Sequence, residues 1–272
     1  MTRHALLVRM MIGLTGAFLS SAGGSATTPS LPVVGEEEDD LARIGALGSR
    51  IFDYDQAAWH STDAIGARLD ELARNGAQGW VIEPKGDGLS VIYYGKADDA
   101  FFALARMDAQ GATVTGQSWY TPQQREPLSP LALRLVAAKE AALAQASVLA
   151  PCSDRPFNPV VLPPDQENGP ISVYLLTPQV TTDRYPFGGH YRLEVDKDGK
   201  ILSSRAFMKT CFQAPRQEQA KMMFITHLLD PRPTEIHAYM SLWMRKPVAV
   251  ATTDKWLWLV NGAHISRVRK LD

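Results

Sequence analysis

Residues 224–243 read FITHLLDPRPTEIHAYMSLW. This stretch decides the C-terminal half, because it can close a β-hairpin or join a strand to a helix. Apolar and polar residues alternate on both sides of Asp230-Pro231-Arg232-Pro233, and Pro233 and Pro247 bracket the second arm. That pattern predicts two antiparallel strands, 221–229 and 234–243, around a DPRP turn. Ile236, Met240 and Trp243 also fit helical spacing, so a helix is the competing reading of the second arm. In the hairpin register that pairs Asp230 with Thr234, His227 sits directly opposite His237, with Glu235 diagonal. Opposite Cβ atoms are then about 5 Å apart, close enough for two imidazoles to share a metal ion. A one-residue slip would put them on opposite faces. His190, reached through Gly188-Gly189, is a candidate third ligand. Neither H-E-x-x-H nor H-x-x-E-H occurs, and a hydrogen-bonded structural histidine pair is the plainer expectation.

Strands continue on either side. ISVYLLT (171–177) is apolar and β-rich, and HYRLEV (190–195) alternates. Asp196-Lys197-Asp198-Gly199-Lys200 predicts a hairpin turn with Gly199 at positive φ, returning as ILSSRAF (201–207). The Asp-x-Asp-Gly run lacks the further ligands of a calcium loop. VAVATT (248–253), KWLWLV (255–260) and HISRV (264–268) complete an expected C-terminal β-meander.

The N-terminal half predicts a helix over 63–76, DAIGARLDELARNG, with Asp63 as N-cap, Ile65, Leu69 and Leu72 on one face and Asn75-Gly76 as terminator. Residues 41–75 as a whole alternate between helix-like and loop-like stretches, of which this is the best helix. Four strands follow, near 80–83, 89–94, 100–107 and 112–120. Next comes a helix rich in Ala, Leu, Lys and Gln that ends before Pro151. Residues 151–170 hold six prolines, which disfavour helix and central strand. They read as a connector carrying one edge strand, NPVVL. The expected organisation is a signal peptide over 1–26, a polar and acidic leader over 27–40, an α+β unit over 41–150, the connector over 151–170 and an antiparallel β-rich unit over 171–272. The fold class is α+β, helices with antiparallel sheets.

The first residues, MTRHALLVRMMIGLTGAFLSSAGGSA, carry a basic start, an apolar run of about ten residues and a small-residue exit, the order of a secretory signal. The run is too short to span a bilayer, which takes about 20 residues. Export to a periplasmic or extracellular space is therefore expected, with no membrane insertion after cleavage. In an oxidising compartment the two cysteines, Cys152 and Cys211, are expected to form a disulfide. The formal charge is −1 for the whole chain. Losing Arg3 and Arg9 with the leader makes it more acidic, which gives no reason to bind nucleic acid.

The chemistry-bearing motifs are mostly missing. No G-x-S-x-G, S-x-x-K, G-x-x-x-x-G-K-[ST] or G-x-G-x-x-G occurs, which removes the common serine and phosphate frames. The acid pairs Asp53/Asp55 and Asp98/Asp99 read as solvated carboxylates in turns. Trp256 and Trp258 share a strand face by period two and are candidate ligand-binding residues that stack on a sugar or a peptide; core packing is the alternative. No cofactor is expected.

Three stretches, the leader, GGHYRLEVDKDGKILSSRAFMKTCF (188–212) and THLLDPRPTEIHAYMSL (226–242), together resemble a group of exported bacterial proteins to which no activity is assigned. The resemblance implies export and brings no catalytic residue with it. The reading that follows is an exported non-enzymatic binding or interaction protein with a protein or envelope partner as one possibility. The alternatives are a metal-dependent hydrolase built on His227, His237 and Glu235 with His190, and an inhibitor or immunity-type partner of an envelope enzyme.

Overall fold

The computed structural model describes residues 34–150 and 152–272. The expected signal peptide and most of the 27–40 leader lie outside them. The fold is α+β with mostly antiparallel sheets. It begins with a 32-residue helix, α1 (Val34–Ile65), which at 1.5 Å per residue is about 48 Å long. The acidic run lies in its first turns, where negative charge is favoured. The expected helix start at Asp63 is therefore corrected, since Asp63 lies inside α1. Gly66, at φ 50°, opens a single 3₁₀ turn over Gly66–Arg68 before α2 (Leu69–Arg74). Asn75-Gly76 ends α2 as expected, with Gly76 at φ 82°.

Two glycines explain why 41–62 looked partly loop-like. A Cβ on Gly45 would collide with the backbone carbonyl of Ala263, and one on Gly48 would lie 2.5 Å from Ala238 Cβ and 2.7 Å from the Glu235 carbonyl. These glycines are close-approach points of a packed helix, not breaks in it.

The first sheet is β1 (Ala77–Lys85), β2 (Gly88–Ala97), β3 (Ala100–Gln110) and β4 (Thr113–Trp119) in antiparallel sequence order, with short β5 (Glu126–Pro127) beside β3. Helix α3 (Pro130–Gln145) follows, with Ser129 as N-cap accepting from the Ala132 amide at 2.9 Å. The NPVVL edge strand is present as β6 (Asn158–Leu162). It lies at one end of a second antiparallel sheet with β7 (Ile171–Leu176), β9 (Tyr191–Val195) and β10 (Ile201–Ala206). Short β8 (Arg184–Pro186) pairs with β11 (Gln213–Pro215).

The inner strands β2, β3 and β7 are buried on both faces and read as near-continuous apolar runs, while the outer strands β4 and β10 are largely exposed. On β2, Val91 and Tyr93 enter one core cluster with α1, while Ile92 and Tyr94 enter another with α3. Residues from both sides of the 151–170 stretch belong to each cluster, as Ile82 with Tyr174 in one and Val81 with Val173 in the other.

The third sheet corrects the hairpin. Residues Glu235–Met244 form a helix, α4, between β12 (Met223–Thr226) and β13 (Val248–Ala251), and these two strands run parallel. β13, β14 (Trp256–Asn261) and β15 (His264–Lys270) then make the expected antiparallel meander. The prolines are helix punctuation here. Pro233 precedes Thr234, the N-cap in extended conformation, whose amide donates to His237 Nδ1 at 2.9 Å. Arg245 closes the helix in the left-handed region at φ 53°, and Pro247 follows it. α4 is buried almost all round, from Glu235 through Ser241, so apolar residues recur on every face and alternation loses its meaning.

Candidate functional site

The expected histidine site has a different geometry from the one read in the hairpin. His227 ends β12 and His237 sits in the first turn of α4, and their rings meet edge to face at 4.7 Å between centroids. Proximity survives while the route to it changes. One nitrogen of each ring is held by the protein, and His227 Nδ1 is buried without a hydrogen-bond partner among the described residues. His227 Nε2 is 2.7 Å from Asp230 Oδ2, which also accepts from Arg205 at 2.7 Å. His237 Nδ1 is held by Thr234. Glu235 accepts from Tyr174 at 3.1 Å and Arg192 at 2.6 Å. His190 accepts from the Thr177 amide and donates to the Pro186 carbonyl, at 3.1 and 2.7 Å. Burial pushes His190 down to about 4 and His237, with the neighbouring His227, down to about 3. Among the described residues, no group of three or more His, Cys, Asp and Glu side chains is placed to hold a metal ion.

Gly188-Gly189 does permit a close approach, but to sulfur. Cys152 and Cys211 form a disulfide. A Cβ on Gly189 would lie 2.7 Å from Cys152 Sγ and 2.5 Å from Thr177 Oγ1.

The tryptophan pair is bound up in packing. Trp258 is fully buried and donates to Thr252 Oγ1 at 2.9 Å. The Arg267 guanidinium lies 4.6 Å from the Trp256 ring centre and 5.0 Å from that of Trp258. Arg267 also pairs with Glu37 of α1. Trp258 forms part of the wall of a groove of about 460 Å³ between α1 and β15.

The residues that do converge on a ligand-sized space are others. A cavity of about 380 Å³ opens between α1, α4, β1, β6 and the end of β7, within the range of small-molecule sites. Three α1 side chains at i, i+4 and i+7, Asp55, Trp59 and Thr62, form one wall. Tyr239 and Trp243, one turn apart on α4, form another, and their rings stack 13° from parallel. Trp80 of β1 and Asn158 of β6 complete it, with Thr177 and Gln179 at the rim of the second sheet. Trp59 is 53% exposed and stacks on the neighbouring His60 ring at 5.0 Å between centroids.

Asp55 is the charged group of this cavity. Asn158 Nδ2 donates to it at 2.6 Å and the Tyr239 hydroxyl at 3.2 Å. Burial raises its carboxyl above the ordinary value, while the hydrogen bonds from Asn158 and Tyr239 oppose that rise. The same burial, with Asp55 beside it, pushes the Tyr239 phenol well above 10, so it remains a donor. Asp53 lies two residues away on a different helical face and is exposed. Asp98 and Asp99 are exposed in the β2–β3 turn, paired with Arg125 and Lys96.

In sequence Asp55 reads as half of an acid pair in a turn, and Trp243 only as a residue of 234–243 that also fits helical spacing. The signal was the spacing in DYDQAAWHST, visible once 41–62 is read as helix, and the Tyr239–Trp243 i, i+4 pair, visible once α4 is.

No family model and no curated protein matches the chain. A solved structure similar to part of it is a "putative lipoprotein" from Clostridium difficile 630, 16% identical, with the match covering 54% of this chain and 91% of that one at a TM-score of 0.19. At that score the likeness carries no argument about fold or function.

Proposed function

We propose that this is an exported, non-enzymatic binding protein that takes a small organic ligand in the cavity between α1 and α4. The observation that carries the reading is convergence. Trp59, Trp80, Tyr239 and Trp243 come from three separate elements and surround one carboxylate in a space of ligand size. A mostly apolar wall with a few placed polar groups is the general form of a small-molecule site. The Cys152–Cys211 disulfide fits an oxidising compartment, as does the leader pattern of the first 26 residues. A lone carboxylate with neutral partners offers no nucleophile–base pair, which favours binding over catalysis. The hydrolase alternative has less behind it, because Asp230, Thr234, Arg192 and Tyr174 already engage the groups it needs.

Ligand-observed NMR against a fragment library of mixed charge tests the reading. Binders are expected for the wild-type chain, and Trp243→Ala should weaken them about ten-fold or more, since burial against an aromatic wall is worth about 1.5 kcal/mol or more. A library without a single binder, or binders indifferent to Trp243→Ala, would remove the cavity as the ligand site.

A further inference from the structure

Given that this cavity is the ligand site, we propose that its ligand is an organic cation, an alkylated ammonium on a small apolar body. The charge balance of the cavity points there. Asp55 is its carboxylate, and among the described residues no lysine, arginine or histidine side chain lines it. Both hydrogen-bond donors that reach Asp55 across the fold, Asn158 and Tyr239, are neutral. The nearby cations are committed elsewhere. Lys139 donates to the Trp80 backbone carbonyl at 3.0 Å and its ammonium lies 5.1 Å from the Trp80 ring centre, so Trp80 already has one cation beside it, while Arg50 of α1 is turned to Asp165 and the Pro163 carbonyl. A carboxylate withdrawn from water without a counter-charge is costly, and a bound cation would supply the missing charge.

The walls fit the same ligand. Aromatic rings present a negative face that attracts alkylammonium groups, and several rings around one cation form the arrangement that recognises quaternary ammonium. Trp59, Trp80, Tyr239 and Trp243 bring four rings to the space occupied on one side by Asp55. A neutral sugar could stack on these rings but would leave the carboxylate unbalanced. An anion would be repelled by it.

The test compares choline with its uncharged isostere 3,3-dimethylbutan-1-ol, by intrinsic tryptophan fluorescence and calorimetry on the full exported chain with its disulfide intact. Choline is expected to bind about ten-fold tighter or more than the alcohol. Asp55→Asn, which preserves shape and removes charge, should weaken choline by about ten-fold and leave the alcohol unchanged. If that variant does not fold, the wild-type comparison alone decides. Equal binding of the two, or tighter binding of the alcohol, overturns the cation assignment. So does an absence of choline binding up to about 10 mM in a protein that binds neutral or anionic fragments, and in that case the ligand site itself stands. A chain that binds no fragment of any charge removes both readings.

Discussion

His190 and His237 are kept neutral by burial, and that has a consequence for the whole chain. Each has a folded pKa, about 4 and about 3, below the ordinary 6.5. Between those values the unfolded chain binds more protons than the folded one, so stability falls as pH falls. The contribution is intact above 6.5 and is lost progressively toward the folded values. By pH 5 each histidine withdraws up to about 2 kcal/mol. Buried His227 shifts in the same direction. Asp55 acts oppositely, because its folded pKa is raised and protonation relieves its burial low in the same window. Urea denaturation at pH 7 and pH 5 is expected to show a clear loss of stability at pH 5. A flat profile would mean that these imidazoles are not buried as neutral groups. None of this was legible in sequence, where a histidine between apolar neighbours has the same letters whether it is a ligand or a packed core residue.

Helices α1 and α4 were the elements hardest to read, for opposite reasons. α4 is so deeply buried that apolar residues occupy every face, and its ten residues also satisfy a strand's alternation. The discriminating information was local: Thr234 before the helix, His237 at the third position in place of the usual Glu or Gln, and prolines outside both ends. α1 is long and carries glycines where its neighbours come closest. Gly45→Ala tests that account. In an exposed helix the change would gain about 1 kcal/mol of helix propensity. Here the new methyl meets the Ala263 backbone carbonyl, and overpacking costs about 1–3 kcal/mol; with backbone as the obstacle, the upper end applies. The expected result is a thermal midpoint lower by several degrees, whereas a rise would show that α1 has room at this point. The four strands of the first sheet, α3 and the hairpin around Gly199 were legible because each has one dominant period and an unambiguous turn.

At the scale of the molecule, α1 is the strut. Its residues pack with strands of the three larger sheets and with α4, and one core cluster runs from Leu41 through Ile82 and Leu162 to Trp258. The cavity lies where α1 and α4 face β1, β6 and the end of β7, around Asp55 and Trp243. The disulfide closes a loop of 59 residues in sequence separation, and the chain-entropy model assigns such a loop about 4 kcal/mol. The double change Cys152→Ser/Cys211→Ser should lower the thermal midpoint by roughly 10 °C. Because Thr177 and Gly189 lie against the bridge, and Thr177 is also at the cavity rim, ligand affinity should be weakened in the same variant. Differential scanning calorimetry with and without ligand reads both, and an unchanged midpoint would contradict the stabilising role.

Local chemistry written in consecutive residues was enough for the α+β class, the Pro-rich segment with its edge strand, most element positions and the cysteine pair. The elements depend on periods, turns and caps within about ten residues, and the pairing of Cys152 with Cys211 on there being two cysteines in a chain with an export leader. The path of 224–251 and the identity of the cavity depend on contacts between distant segments. Whether 234–243 is strand or helix is settled by what surrounds it, since a segment buried on all sides carries no periodic mark of its environment. Asp55, Asn158 and Tyr239 lie more than eighty residues from one another, and no spacing rule connects them. They became a site only when α1, β6 and α4 packed around one space.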